Sequence, residues 1–187
     1  MNTTTDKWGW RHKSLPDYPF HYGTDNDVGI GTRVNAIMDG TVLYSKFEPT
    51  NGEQVMILHT VNGQSYITWY SHLSKRSVSV GTTSNPTKVK AGDKIGESGE
   101  TGTACFGAHL HFGIAKTAST ASSDRQSKGI NPLNIYAPDD TRGTSTNPQP
   151  LFKLVNGAYV YNTSFDWSFS TNPMPERYSQ DVKYKKK

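Results

Sequence analysis

The tightest constraint on the fold of this chain is a pair of alternating apolar runs centred on an Asn-Gly step. Gln54-Val55-Met56-Ile57-Leu58-His59 and Ser65-Tyr66-Ile67-Thr68-Trp69-Tyr70-Ser71-His72 flank Asn62-Gly63. A tight hairpin turn of the favoured hand needs positive φ at both central residues, which Asn-Gly tolerates best, so the spacing predicts an antiparallel hairpin. Asp39-Gly40 stands in the same way between 33–38 and 41–46 and predicts another. Val89 to Gly96 reads as a turn feeding a short strand, and Leu110 to Ala115 as a further strand. No segment keeps helical periodicity over three turns. The expected fold is all-β, a mainly antiparallel sheet with few short helices, over residues 1–137.

Composition agrees with that class and removes others. Hydrophobic residues make up 33% of the 187 and mean hydropathy is −0.68, low for a helical bundle but tolerable for strands joined by polar turns. One cysteine excludes a disulfide framework and a cysteine-based zinc finger. The formal charge of +4 invites a nucleic-acid reading, but Lys183, Lys185, Lys186 and Lys187 supply all of it and the rest of the chain balances. A run of terminal lysines is ordinarily a solvated end, so no nucleic-acid partner is expected. No run of ~18 apolar residues occurs, so no membrane insertion is expected. The N-terminus shows no basic stretch followed by an apolar one, so no secretory signal is expected. Residues 138–150 read as a linker. Residues 151–187 carry Phe152, Tyr159, Tyr161, Phe165, Trp167, Phe169 and Tyr178 and read as a short C-terminal extension, a candidate docking arm. The Ser/Thr-rich stretches 82–88 and 116–128 read as surface loops able to wall a groove.

Three stretches concentrate chemistry: His21-Tyr22-Gly23-Thr24-Asp25, Tyr70-Ser71-His72-Leu73, and His109-Leu110-His111. On a strand, His109 and His111 point to one face with Cα atoms ~6.5–7 Å apart. They can bind one metal together, or one can bind while the other handles a proton. His21 and Asp25 are brought inward by an irregular turn, given Pro19, Gly23 and the β-rich context. Two imidazoles and one carboxylate make a three-ligand set with an open fourth position, the arrangement of a catalytic rather than a structural zinc site.

Taken in order, Trp8-Gly9-Trp10-Arg11, His21 to Asp25, Gly31 to Ala36, Asp39 to Val42, Tyr70 to Leu73, Val89 to Gly96, Gly99 to Gly102 and Gly107 to Phe112 resemble the lysostaphin-type zinc metallopeptidase family. The resemblance covers about residues 8–137 and closes on Asn131-Pro132. It implies an antiparallel β-sheet groove and a zinc endopeptidase acting on peptide cross-links or stems of bacterial peptidoglycan. By position it implies that His21, Asp25 and His111 bind zinc, and that His72 and His109 are the two catalytic histidines that do not. Zinc lowers the pKa of its bound water toward ~7 and polarises the scissile carbonyl. A neutral imidazole beside it can take the water proton and pass it to the leaving amine. Which of His72 and His109 is the base is left open.

The chain departs from the family in places. Arg11-His12-Lys13 lacks the usual Arg-x-His-Pro spacing, so His12 reads as a surface or groove residue. His59 reads as structural, and Cys105, bulkier than the residues usual there, as a buried or groove-wall thiol. The main alternative is an inactive peptidoglycan-binding or virion structural module of the same fold. Such a module is expected to have lost ligands, and all five residues are present. The His-to-Asp spacing argues against a zinc carboxypeptidase. A wall hydrolase with no visible signal suggests a phage-encoded enzyme, released at lysis or virion-associated, with residues 151–187 offered to phage tail proteins.

Overall fold

A computed structural model describes residues 4–6, 9–10, 20–117, 145–146, 152–155 and 158–161. His12, Pro19, Asn131, Pro132, most of the 116–128 loop, most of the 138–150 linker and most of the extension lie outside them. The described residues contain fifteen strands and no helix. The first five are β1 (Thr4–Asp6), β2 (Gly9–Trp10), β3 (Phe20–His21), β4 (Thr24–Asn26) and β5 (Arg33–Asn35). The long ones follow: β6 (Gly40–Glu48), β7 (Gly52–Val61) and β8 (Gln64–Leu73). Then come β9 (Lys75–Arg76), β10 (Lys88–Val89), β11 (Lys94–Glu97) and β12 (Leu110–Thr117). The last are β13 (Ser145–Thr146), β14 (Phe152–Val155) and β15 (Ala158–Tyr161).

One large sheet dominates, in the order β1-β4-β12-β8-β7-β6-β10, with β13 also paired to β12. A three-stranded sheet, β5-β11-β9, lies apart from it in hydrogen bonding, and β2–β3 and β14–β15 are separate pairs. All the pairings are antiparallel. The expected all-β class is the one observed.

The Asn-Gly hairpin forms as expected. Asn62 has φ 50° and Gly63 φ 76°, and β7 pairs with β8 from Val61↔Gln64 down to Glu53↔Leu73. The Asp-Gly hairpin does not form: β5 pairs with β11 and β6 with β7. Long-range partners claim the backbone that a hairpin would use. The Ala36 N–H donates to the Asp93 carbonyl at 2.9 Å, and the Ile37 N–H donates to the Tyr70 hydroxyl at 3.0 Å. The Asp39 carboxylate is occupied by Lys90 Nζ at 2.7 Å and the Ala91 N–H at 2.9 Å. Residues 138–150 include β13, whose Ser145 and Thr146 pair with Ala115 and Ile114. β12 runs on through Thr117, two residues into the stretch expected as a loop.

Alternation sorts the large sheet into two faces. Val55 and Ile57 of β7, Tyr66 and Tyr70 of β8, and Phe112 and Ile114 of β12 pack on one face. The same cluster takes in Val34, Val89 and Ile95, so it joins the large sheet to the small one. Met56, Ile67, Trp69 and Ala115 pack on the other face with Leu43 and Tyr44. The two-residue period therefore puts His111, Gly113 and Ala115 on the second face of β12 while Phe112 and Ile114 anchor the strand in the first.

His59 is structural, as expected. Its ring is buried; the Nδ1–H donates to the Asp39 carbonyl and the Thr68 hydroxyl donates to Nε2, both at 2.8 Å. Burial lowers its pKa from the usual 6.5 to about 4. Below pH ~6.5 the unfolded chain accepts a proton that the folded ring refuses until about 4, so acid destabilises the fold through this window. The loss is on the order of 3 kcal/mol and levels off below the folded-state pKa. Urea melts from pH 7 to pH 4 should show this slope in the wild type and a shallower one in His59→Gln. Equal slopes would contradict the assignment.

Candidate metal centre

The H-x-G-x-D turn and the H-x-H strand meet at the β4–β12 ladder, where His111 lies opposite Asp25. Gly23 permits the approach: a Cβ there would stand 2.4 Å from the Phe112 carbonyl oxygen and 2.8 Å from His111 Nε2. Three atoms converge as a result. His21 Nε2 lies 3.1 Å from Asp25 Oδ1 and 2.9 Å from His111 Nδ1, and His111 Nδ1 lies 2.9 Å from Asp25 Oδ1. Burial works to raise the Asp25 carboxyl, but the charges and hydrogen bonds of His21 and His111 outweigh it and hold Asp25 well below the usual carboxylate range. Burial likewise pushes His111 down to about 4, against the pull of Asp25. Both ligand types are thus kept in their metal-binding forms at neutral pH.

Two further residues contact this triangle. The Asp6 carboxylate, buried on β1 in register with Asp25, stands 3.4 Å from His21 Nδ1. A carboxylate there favours the Nδ1–H tautomer of His21 and leaves Nε2 toward the triangle, the carboxylate–histidine arrangement of metal sites. Trp69 Nε1–H donates to His111 Nε2 at 3.2 Å. Its indole lies over Gly113, where a Cβ would meet the ring at 2.0 Å. With Nε2 accepting, a neutral His111 carries its proton on Nδ1 and donates it to Asp25. To ligate a metal through Nδ1 the neutral ring moves that proton to Nε2, which then no longer accepts from Trp69. Nothing local in the sequence marks Asp6 or Trp69; strand register brings them in. Asp6→Asn should keep the fold and weaken zinc affinity by about tenfold or more, measured by competition with a chromophoric chelator. Unchanged affinity would sink the role.

His72 and His109 stand beside the triangle. His72, the penultimate residue of β8, has φ 61°, a left-handed backbone uncommon for any residue with a Cβ and worth ~1–3 kcal/mol of strain. The conformation aims its ring across the strand end: Nδ1–H donates to the Thr101 carbonyl at 2.8 Å, leaving Nε2 as an acceptor. Thr101 is itself fixed, donating its hydroxyl to the Leu73 carbonyl at 2.7 Å and accepting the Glu53 N–H at 2.9 Å. His109 is placed by a bridge to Gly99. Its Nδ1–H donates to the Gly107 carbonyl at 2.7 Å, and Nε2 lies 3.5 Å from Asp25 Oδ1. The two rings are 4.7 Å apart, and His72 is 5.8 Å from His111. Burial first, then the neighbouring His111 and His109, pushes His72 down to about 3. The five residues singled out in the sequence are all brought together. Cys105 is half-buried at the rim, and its thiol donates to the Gly107 carbonyl at 3.1 Å.

His21, Asp25 and His111 fit a metal by the chemistry of their donors. Their spacing is close to that of atoms sharing one ion at ~2 Å, and two imidazoles with a carboxylate are a set that zinc takes. A dication would also offset the charges of Asp25 and Asp6, two carboxylates buried within reach of one imidazole.

The profile described as Peptidase family M23 matches residues 19–132. Among curated proteins, the chain is 40% identical over 152 residues to the glycyl-glycine endopeptidase ALE-1 of Staphylococcus capitis, covering 76% of this chain and 39% of that protein. It is 42% identical over 92 residues to the peptidoglycan DD-endopeptidase ShyA of Vibrio cholerae, covering 49% and 19%. The chain therefore spans well under half the length of these relatives. Among solved structures, the catalytic domain of lysostaphin from Staphylococcus simulans matches with TM-score 0.58 at 28% identity, over 80% of this chain and 90% of that one. The catalytic domain of a prophage-encoded M23 protein, EnpA from Enterococcus faecalis, matches with TM-score 0.52 at 26% identity, over 66% and 89%.

Proposed function

The chain belongs to peptidase family M23, and on that premise we propose that it is a zinc-dependent endopeptidase hydrolysing peptide bonds in bacterial peptidoglycan. The observation that carries the reading is the pairing of a largely buried His21–Asp25–His111 triangle with two histidines whose Nδ1–H groups are held by backbone carbonyls, so that Nε2 is left as the acceptor beside it. The names of ALE-1 and ShyA support the substrate class.

His21 through Nε2, Asp25 through Oδ1 and His111 through Nδ1 would hold the ion. When bound, the ion supplies Lewis acidity, activating water and polarising the scissile carbonyl. The chain's own residues do the rest. His109 accepts a proton at Nε2 and delivers it to the leaving amine, held in the correct tautomer by the Gly107 carbonyl. His72 presents a second Nε2 fixed by Thr101, which shares the proton traffic or, once protonated, donates to the developing oxyanion. Asp6 keeps the His21 imidazole in orientation.

The site of action in this reading is the bacterial cell wall. The prophage-encoded EnpA lends support to a phage-encoded wall hydrolase, and residues 151–187 remain the proposed contact to tail proteins. The test is digestion of purified peptidoglycans of several cross-link chemistries, with mass spectrometry of the fragments. New amine and carboxyl ends at peptide bonds should appear, disappear with chelator and return with zinc. Glycan cleavage, or cleavage indifferent to chelator, would overturn the proposal.

A further inference from the structure

A second group of metal-ligating side chains lies against the first. His72, Cys105 and His109 each offer one ligand atom, and these atoms all lie within 4.8 Å of one another. Cys105 Sγ is 3.6 Å from His109 Nδ1, and the His72 and His109 rings are 4.7 Å apart. Cys105 is half-buried, whereas the two histidines are buried, so the cysteine is the entrance to the group. None of the three belongs to the His21–Asp25–His111 triangle. We propose that His72, Cys105 and His109 form a second, weaker site for a soft divalent cation such as cadmium or excess zinc, and that filling it inhibits the enzyme. The inhibition rests on the peptidase reading above; the binding does not.

Thiolate and imidazole together select soft and borderline cations over calcium or magnesium. As the sulfur–metal bond forms, the thiol proton leaves to solvent and no electrons are exchanged. Burial pushes the Cys105 thiol up to about 11, so only a cation with strong affinity for sulfur displaces that proton near neutral pH. An ion already held by the triangle repels a second one nearby, so this site fills after the first. Occupancy takes a ring nitrogen from both non-ligand histidines, which can then no longer exchange protons. Cys105 thus gives the centre a sensitivity to thiophilic metals that a small apolar residue at the same position would not.

The experiment titrates cadmium into protein carrying one equivalent of zinc, following thiolate-to-cadmium charge-transfer absorbance and peptidase activity together. The wild type should develop the band, saturate near about one added equivalent and lose activity in parallel. Cys105→Ser, with Cys105→Ala as a second variant should serine disturb the fold, should show no band, the same starting activity and resistance to cadmium. Absence of the band in the wild type overturns the site. Undiminished sensitivity of the Cys105 variants, or a band without loss of activity, overturns the inhibition.

Discussion

Replacing His111 with alanine should empty the metal centre and leave the fold intact. His111 Nδ1 lies 2.9 Å from both of the other donor atoms, so its loss reduces three ligands to two. Two protein ligands do not hold a catalytic zinc, and metal content should fall from about one ion per chain to near zero. The ion is worth several kcal/mol of transition-state stabilisation, so turnover should drop by at least about a thousandfold. The fold should survive because Phe112 and Ile114, not His111, anchor β12 in the larger core cluster. Asp25→Ala should behave alike, with the added cost of leaving His21 and His111 facing each other without the carboxylate. Metal analysis of the purified variants, with circular dichroism as the folding control, reads the result. Stoichiometric zinc in His111→Ala would remove it from the ligand set.

His109→Ala should do the opposite, keeping the metal and losing the chemistry. Its Nε2 approaches the triangle through Asp25 at 3.5 Å, but the three mutual contacts of 2.9–3.1 Å exclude it. Its Nδ1–H is committed to the Gly107 carbonyl, which leaves one lone pair aimed at the reaction. General acid–base groups of this kind contribute ~10²–10⁴-fold, so kcat should fall in that range with KM little changed. His72→Ala should also retain zinc and lose turnover. Loss of zinc in His109→Ala would make it a ligand and displace one of the three named above.

How much of this was readable in the chain depended on whether the signal was local. The β7–β8 hairpin was readable because Asn62-Gly63 meets the stereochemical demand of its turn by itself. Strand period and short spacing paired His109 with His111 and His21 with Asp25 before any tertiary contact is known, whereas His72, and the division into ligands and non-ligands, came only from the resemblance to the lysostaphin-type family. Asp39-Gly40 misled for the same reason that the other turn succeeded: the dipeptide permits a hairpin, but Ala36, Ile37 and Asp39 found partners at Asp93, Tyr70, Lys90 and Ala91. Asp6 and Trp69 gave no signal. Asp6 sits among polar residues near the start of the chain, and only the register of β1 on β4 sets it beside His21. Trp69 reads as one more core aromatic until Gly113 is seen to leave room for its indole above β12. The left-handed backbone of His72 was equally silent, since it answers to Thr101 and Asn51, which lie across the strand end.

One ion is expected among His21, Asp25 and His111. The most direct measurement is a crystal structure of protein loaded with a single equivalent of zinc, with anomalous diffraction collected on both sides of the zinc edge. One strong anomalous peak should appear, bounded by His21 Nε2, Asp25 Oδ1 and His111 Nδ1. A peak on Cys105 and His109 instead, or no peak within the triangle, would contradict this ligand set.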